Sequence, residues 1–192
     1  VSTGAKVDAK SIKSRPCFLC AAHRPEEQME KSVDDKFYIL VNPFPILPAH
    51  FTIPAREHQP QRIADSFGEM YKLLTLYPEL MVFYNGPEAG ASAPDHLHFQ
   101  GGTSGLLPLQ GAWQRLARTL QPLFTVNDEE GLFLVEDYPA PALLIKAKKR
   151  ESAEHLFRRL YHALQRSEEC AMNHPEPMMN IVAWRDVDNF LF

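Results

Sequence analysis

Cysteine is scarce in this sequence: three residues in 192. An odd, small number does not make a disulfide scaffold. A long apolar run is missing too, since nothing approaches the roughly 18 residues that span a bilayer. Excess positive charge is also absent. Lys plus Arg number 20 against 24 Asp plus Glu, a formal net charge of -4, with a pI near 6.1. A protein that wraps nucleic acid is usually basic, so that class starts at a disadvantage. The opening residues Val1 to Lys10 carry no apolar stretch of the secretory kind. With 45% hydrophobic and 23% charged residues, composition excludes disordered and fibrous classes.

Proline is plentiful, at 16 residues, so many segments turn or extend rather than coil into helix. Two of the cysteines form Cys17-x-x-Cys20, which in a reducing compartment reads as metal or redox chemistry. The expected location is therefore cytoplasmic. Cys170 is expected to be a small buried apolar residue.

The apolar pattern predicts strands over 37–41, 50–54, 80–84 and 96–100, with a helix near 61–76 and a stop at Gly101-Gly102. A short helix is expected over 113–123. Strands follow at 132–135, 143–146 and 179–184, with an amphipathic helix over 152–166. Two stretches match. Leu40-Val41-x-x-Phe44-Pro45 parallels Leu134-Val135-x-x-Tyr138-Pro139, and Ile53 through His58 parallels Ile145 through Arg150. This reads as an internal duplication. It divides the chain into a polar arm (1–16), a first unit (17–107) and a degenerate second unit (108–192). The second unit ends at 188–192 in what reads as the start of a strand, so it is expected to be incomplete.

The densest chemistry lies between Asn85 and Gln100. On a strand, His96, His98 and Gln100 point one way and Leu97 and Phe99 the other. A lone histidine on a strand usually just meets water; here companion motifs shift the balance. Cys17 and Cys20 supply two thiolates, and zinc takes four Cys and His ligands in a tetrahedron. His58 and His96 are the expected completing ligands, with His23 and His50 as competitors. A pair of unlinked buried thiols or a redox pair is the alternative. Arg150 stands where the first unit has His58, so at most one metal site is expected.

Taken together, Cys17-Phe18-Leu19-Cys20, the segment through His58, and His96-Leu97-His98-Phe99-Gln100 resemble the galactose-1-phosphate uridylyltransferase branch of the histidine-triad superfamily. The His-Leu-His-Phe-Gln form looks closest to the GDP-hexose phosphorylases, and the Asn85-Gly86-Pro87 and Gly90-Ala91-Ser92 turn is similar to that of diadenosine tetraphosphate phosphorylases. The resemblance is good over 17–102 and weak over 132–192. It implies an α+β fold of two histidine-triad-like units, each a mostly antiparallel sheet with one main helix. It implies that His98 is the nucleophile, nucleotidylated at the α-phosphorus of a nucleotide sugar, and that Gln100 bonds the phosphoryl oxygens. It implies phosphate contacts from Asn85, Gly90 and Ser92, and a structural Zn2+ held by Cys17, Cys20, His58 and His96. Asp95 and Leu97 depart from the branch, since both stand where the uridylyltransferases have proline.

The implied activity is a nucleotidyltransferase or phosphorylase that works through a covalent nucleotidyl-histidine. Its partners are a nucleotide sugar (or a dinucleoside polyphosphate) and phosphate or a sugar 1-phosphate, with no nucleic acid and no membrane. Members of the branch are monomers or homodimers. One alternative is a dinucleoside polyphosphate or nucleotidyl-conjugate hydrolase, against which Gln100 argues, because those hydrolases usually carry histidine there. Another is a zinc-stapled nucleotide-binding module without catalysis.

The chemistry is sound in itself. A neutral imidazole is a good nucleophile, and an ordinary pKa near 6.5 leaves most of it neutral at pH 7. Attack divides one difficult exchange into two easier steps.

Overall fold

The computed structural model describes residues 9–166 and 174–192. Cys170 lies outside the described residues. The chain forms one ten-stranded antiparallel sheet: β1 (Glu30–Ser32), β2 (Tyr38–Val41), β3 (His50–Pro54), β4 (Leu80–Asn85), β5 (His98–Thr103), β6 (Leu120–Thr125), β7 (Gly131–Val135), β8 (Ala142–Ala147), β9 (Asn180–Asp186) and β10 (Asn189–Leu191). Among the described residues four α-helices accompany it: α1 (Ala9–Ser14), α2 (Phe67–Leu76), α3 (Pro108–Leu116) and α4 (Arg150–Gln165). The expected α+β class holds. Among the described residues, no helix is long and apolar enough to cross a membrane.

Strand order is β1-β2-β3-β5-β4-β9-β10-β8-β7-β6. Read inward from either edge, it is the same series: three strands in chain order, then the fifth, then the fourth. The centre is the β4–β9 pair, with Val82 opposite Ala183 and Tyr84 opposite Ile181. Both strands are covered on both faces. That explains the near-continuous apolar run Leu-Met-Val-Phe-Tyr in β4, where a strand wetted on one face would alternate.

The two faces carry different cores. Val82, Tyr84, Leu97 and Phe99 face α2 and α4, while Met81 shares the opposite face with Trp113 of α3, Trp184 and Leu191. In α4, Ala153, Leu156, Phe157 and Tyr161 are buried, the helical stripe that the spacing predicts. Phe67 of α2 stacks on Phe157 of α4, ring centroids 4.0 Å apart, which ties the two halves together beneath the sheet.

Three local expectations are corrected. The first helix begins at Phe67, not near 61, because Gln61 and Ile63 spend their hydrogen bonds elsewhere: the Ile63 amide donates to Glu176 Oε2 at 2.9 Å. The helix expected over 113–123 lies at 108–116 instead, and 120–125 is an edge strand. Pro108 opens that helix as a preset first residue. Pro122 is tolerated because β6 is an edge with a register shift there. Gly101 and Gly102 do not stop β5 but continue it to Thr103. A Cβ on Gly102 would lie 2.2 Å from the Leu47 side chain, so glycine here admits a close neighbour.

A cavity of about 860 Å³ opens in the second half, lined by Leu143, Leu144, Ile181, Val182, Trp184 and Phe192 among others. None of the residues with expected chemistry lines it.

Candidate functional site

Strand β5 lies between β3 and β4, and its register sets the site. His98 is opposite Pro54, and Gln100 is opposite Thr52 on one side and Phe83 on the other. His98 and Gln100 lie on the face away from α2 and α4, while Phe99 (0% exposed) fills the core behind them. His96 is not in the strand. It sits in the bend that leads into it, and is fully buried. The expected three-residue polar row is therefore a row of two, with His96 turned to a different task.

That task is visible in its contacts. His96 Nδ1 is 3.2 Å from Cys17 Sγ and 3.6 Å from Cys20 Sγ, while His58 Nδ1 is 3.3 Å from Cys20 Sγ. The donor atoms of Cys17, Cys20, His58 and His96 all lie within 4.8 Å of one another. Two sulfurs and two imidazole nitrogens converging so closely fit a metal ion that prefers tetrahedral S and N ligands. His96 Nε2 donates to the Ala55 carbonyl at 2.8 Å, which leaves Nδ1 free to hold a metal. Burial pushes the Cys20 thiol up, and the neighbouring Cys17 adds to it. A bound cation would reverse that balance and hold the sulfurs as thiolates. The competing histidines are occupied elsewhere. His23 Nδ1 contacts the Cys17 carbonyl at 3.0 Å, and His50 lies by Gln100.

His98 is 5% exposed. Its Nδ1 donates to the His96 carbonyl at 2.8 Å, so Nε2 carries the lone pair. Burial is the main cause that lowers its pKa, to about 4, which keeps the ring neutral at neutral pH. Gln61, absent from the sequence expectations, holds the backbone here. Its Oε1 accepts from the His98 amide at 2.7 Å, and its Nε2 donates to the carbonyls of His98 (3.0 Å) and Asn85 (2.9 Å). Gln61 is 1% exposed. The signal available in sequence was weak: a polar residue just after Pro60, at the start of a stretch that reads as helix.

His50 (5% exposed) plays a comparable part for Gln100. The Ile46 amide donates to His50 Nδ1 at 3.3 Å, so the hydrogen sits on Nε2 and is donated to Gln100 Oε1 at 2.9 Å. The Gln100 amide nitrogen is thereby turned away from His50, as a donor. Burial lowers the His50 pKa, against the raising effect of Gln100.

The turn between β4 and His96 lies beside this pair. Asn85 ends β4. The amides of Ala89 and Ala91 both donate to the Gly86 carbonyl, closing the turn. Gly90 adopts φ +109°, a conformation that side chains other than glycine rarely allow. Ser92 is exposed, and its carbonyl accepts from Arg15 at 3.3 Å.

Comparisons with known proteins agree with the family resemblance of the motifs. The family described as a domain of unknown function, DUF4922, matches residues 1–103. The galactose-1-phosphate uridylyltransferase of Bacillus subtilis (strain 168) is 24% identical over 163 residues, covering 74% of this chain. The chain spans 30% of that relative's length. Among solved structures, a DUF4931 family protein from Bacillus cereus ATCC 10987 superposes with a TM-score of 0.54 at 15% identity, covering 85% of this chain and 82% of its own. Yeast Ap4A phosphorylase Apa2 gives a TM-score of 0.47 at 17% identity, covering 83% of this chain and 56% of its own. The fold is shared with the DUF4931 family protein.

Proposed function

The chain belongs to the DUF4922 family, and we propose that it is a nucleotidyltransferase or phosphorylase whose His98 forms a covalent nucleotidyl intermediate. One observation carries this reading: His98 is a neutral imidazole with Nδ1–H tied to the His96 carbonyl and Nε2 left as a lone pair, one strand step from the oriented amide of Gln100. The substrate class is a nucleotide sugar or dinucleoside polyphosphate. Similarity to a uridylyltransferase supports nucleotidyl transfer as the reaction class.

In the first step, Nε2 of His98 forms a bond to the α-phosphorus, and the bond from that phosphorus to the bridging oxygen breaks. A sugar 1-phosphate, or a nucleotide, leaves with the electron pair. In the second step, phosphate or a sugar 1-phosphate attacks the same phosphorus, the P–N bond breaks, and the pair returns to His98. The Gln100 amide donates to the phosphoryl oxygens as charge builds, with Asn85, Gly90 and Ser92 placed to contact the adjoining phosphate. Preorganised donors of this type supply much of the acceleration in such sites.

Cys17, Cys20, His58 and His96 would hold zinc. Held by four protein ligands, such an ion would have no open position and would serve as a staple on the bend before His98. The ligand pair must stay reduced, which suits a cytoplasmic setting. The same proposal includes a first unit at 17–107 and a second at 108–192, supported by the strand order that repeats from either edge.

Incubation with a panel of nucleotide sugars and dinucleoside polyphosphates labelled at the α-phosphate tests the reading. Acid-labile label on the protein, exchange between nucleotide sugar and sugar 1-phosphate without acceptor, and loss of both in His98→Gly are expected. Turnover without any labelled protein would replace it with direct hydrolysis. Binding without turnover would leave a nucleotide-binding module.

A further inference from the structure

Asp95 immediately precedes His96, and its surroundings are unusual. Its Oδ2 lies 3.8 Å from His58 Nε2, the ring nitrogen remote from the sulfurs. Its Oδ1 lies 3.5 Å from Arg15 Nη2. Both contacts are longer than a good charged hydrogen bond. In keeping with that, Asp95 Oδ1 and Arg15 Nε are buried atoms without hydrogen-bond partners. Buried polar orphans of this kind call for a reason. Arg15 also stacks over Phe18, inside the Cys17–Cys20 loop, with its Cζ 4.9 Å from the ring centroid. It donates to the Ser92 carbonyl at 3.3 Å. One guanidinium thus touches the cysteine loop, the 85–95 turn and the carboxylate behind a candidate metal ligand.

We propose that Asp95 is the outer carboxylate of the metal centre, and that Arg15 and Asp95 together fasten the turn containing Ser92 when metal is held. The inference rests on the metal reading above. His58 is the loosest of the four candidate ligands, with its side chain 47% exposed. A ligand that binds through Nδ1 gains direction and basicity when its Nε2–H is held by a carboxylate. Metal held at His58 Nδ1 would leave Nε2–H to donate to Asp95, which faces Arg15 on its other side. Charge also balances across the group: a divalent ion offsets two thiolates, and Asp95 offsets Arg15.

The test uses the whole chain and zinc alone. Zinc affinity is measured by competition with a chromophoric chelator, and hydrogen exchange is followed at residues 9–18 and 86–95 with and without zinc. The parent should bind one zinc per chain, and zinc should slow exchange in both segments. Asp95→Asn should keep one zinc per chain with affinity lowered about 10- to 100-fold, and zinc should no longer slow exchange in 9–18. Asp95→Glu should recover part of the affinity. Arg15→Gln, which leaves the ligands and Asp95 in place, should keep zinc binding but lose the zinc-dependent protection of 86–95. Affinity within twofold of the parent in Asp95→Asn, with protection intact in Arg15→Gln, overturns the proposal. A parent chain that binds no zinc overturns the metal reading itself.

Discussion

On β5 the residue opposite Pro54 is His98; on β10 the residue opposite Lys146 is Leu191. The neighbours follow suit. Phe99 faces Ile53 as Phe192 bonds Ile145, and the Leu97 carbonyl serves Ala55 where Phe190 faces Ala147. The two halves build the same strand ladder, and both keep their core-facing apolar residues. On the chemical face they part: His98 is matched by Leu191, and His58 by Arg150. Arg150 spends its charge on Glu154 at 2.7 Å and Glu69 at 3.7 Å. Packing the sheet therefore needs only the apolar set. The buried imidazoles and amide of the first half carry a polar burden that the apolar packing of the sheet does not require.

The largest expected effect tests whether the chemistry belongs to one half. His98→Gly should lower covalent labelling by roughly 10⁴- to 10⁶-fold, as loss of a nucleophile does elsewhere. Added imidazole should restore part of the turnover, because the pocket still orients the phosphates. Leu191→His should create no labelling, since its half lacks the supporting amide and turn. Labelling of Leu191→His in a His98→Gly background would dissolve the contrast.

Next comes the joint between the halves. Phe157→Ala removes the ring stacked on Phe67, at a cost of about 3–5 kcal/mol. Calorimetry should show a single transition moved down by roughly 6–20 °C. Two separated transitions would mean that the halves fold independently.

Gln100→Ala should slow labelling by about 10²- to 10³-fold without abolishing it, as removal of one preorganised donor does. His50→Phe, which keeps the ring stacked near Phe83 but cannot orient the amide, should act in the same direction with a smaller factor in kcat. Equal loss in both variants would assign the effect to His50 directly.

A pH effect should be visible at Glu176, 2% exposed, which accepts from Tyr84 Oη at 2.5 Å and from the Ile63 amide. Burial raises its pKa, against the lowering effect of those donors. Between its ordinary value near 4.5 and the raised one, the folded chain binds more protons than the unfolded chain, so stability falls as pH rises through that window. Glu176→Gln should flatten this slope in urea titrations taken at several pH values. An unchanged slope would mean that Glu176 is ionised throughout.

The smallest expected effect lies in the β9–β10 turn, which has no counterpart in the long β4–β5 connection. Val187 adopts φ 54°, unfavourable for a β-branched residue. Val187→Asn should stabilise by about 1 kcal/mol, read as a rise of roughly 2–4 °C in Tm.

Much was legible without coordinates, for physical reasons. The run at 80–84 declares itself because a strand covered on both faces must be apolar throughout, and α4 because one face of a helix must be apolar at a 3.6-residue period. The C-x-x-C pair and the H-x-H-x-Q string stood out because their spacing is local. Non-local matters were decided by the tertiary structure. Which histidine joins Cys17 and Cys20 depends on the bend before β5 and the segment after β3 meeting in space, 38 and 76 positions along the chain from Cys20. The late start of α2 depends on Glu176 taking the Ile63 amide from 113 residues away. Gln61 acquires its part because the His98 backbone lies beside it, and Gly101-Gly102 continue a strand because Leu47 and Ile53 press close there. A residue's own preferences govern its local conformation and which face it buries. Its partners across the sheet are set by the packing of the whole chain, and the candidate chemistry here is made of such partners.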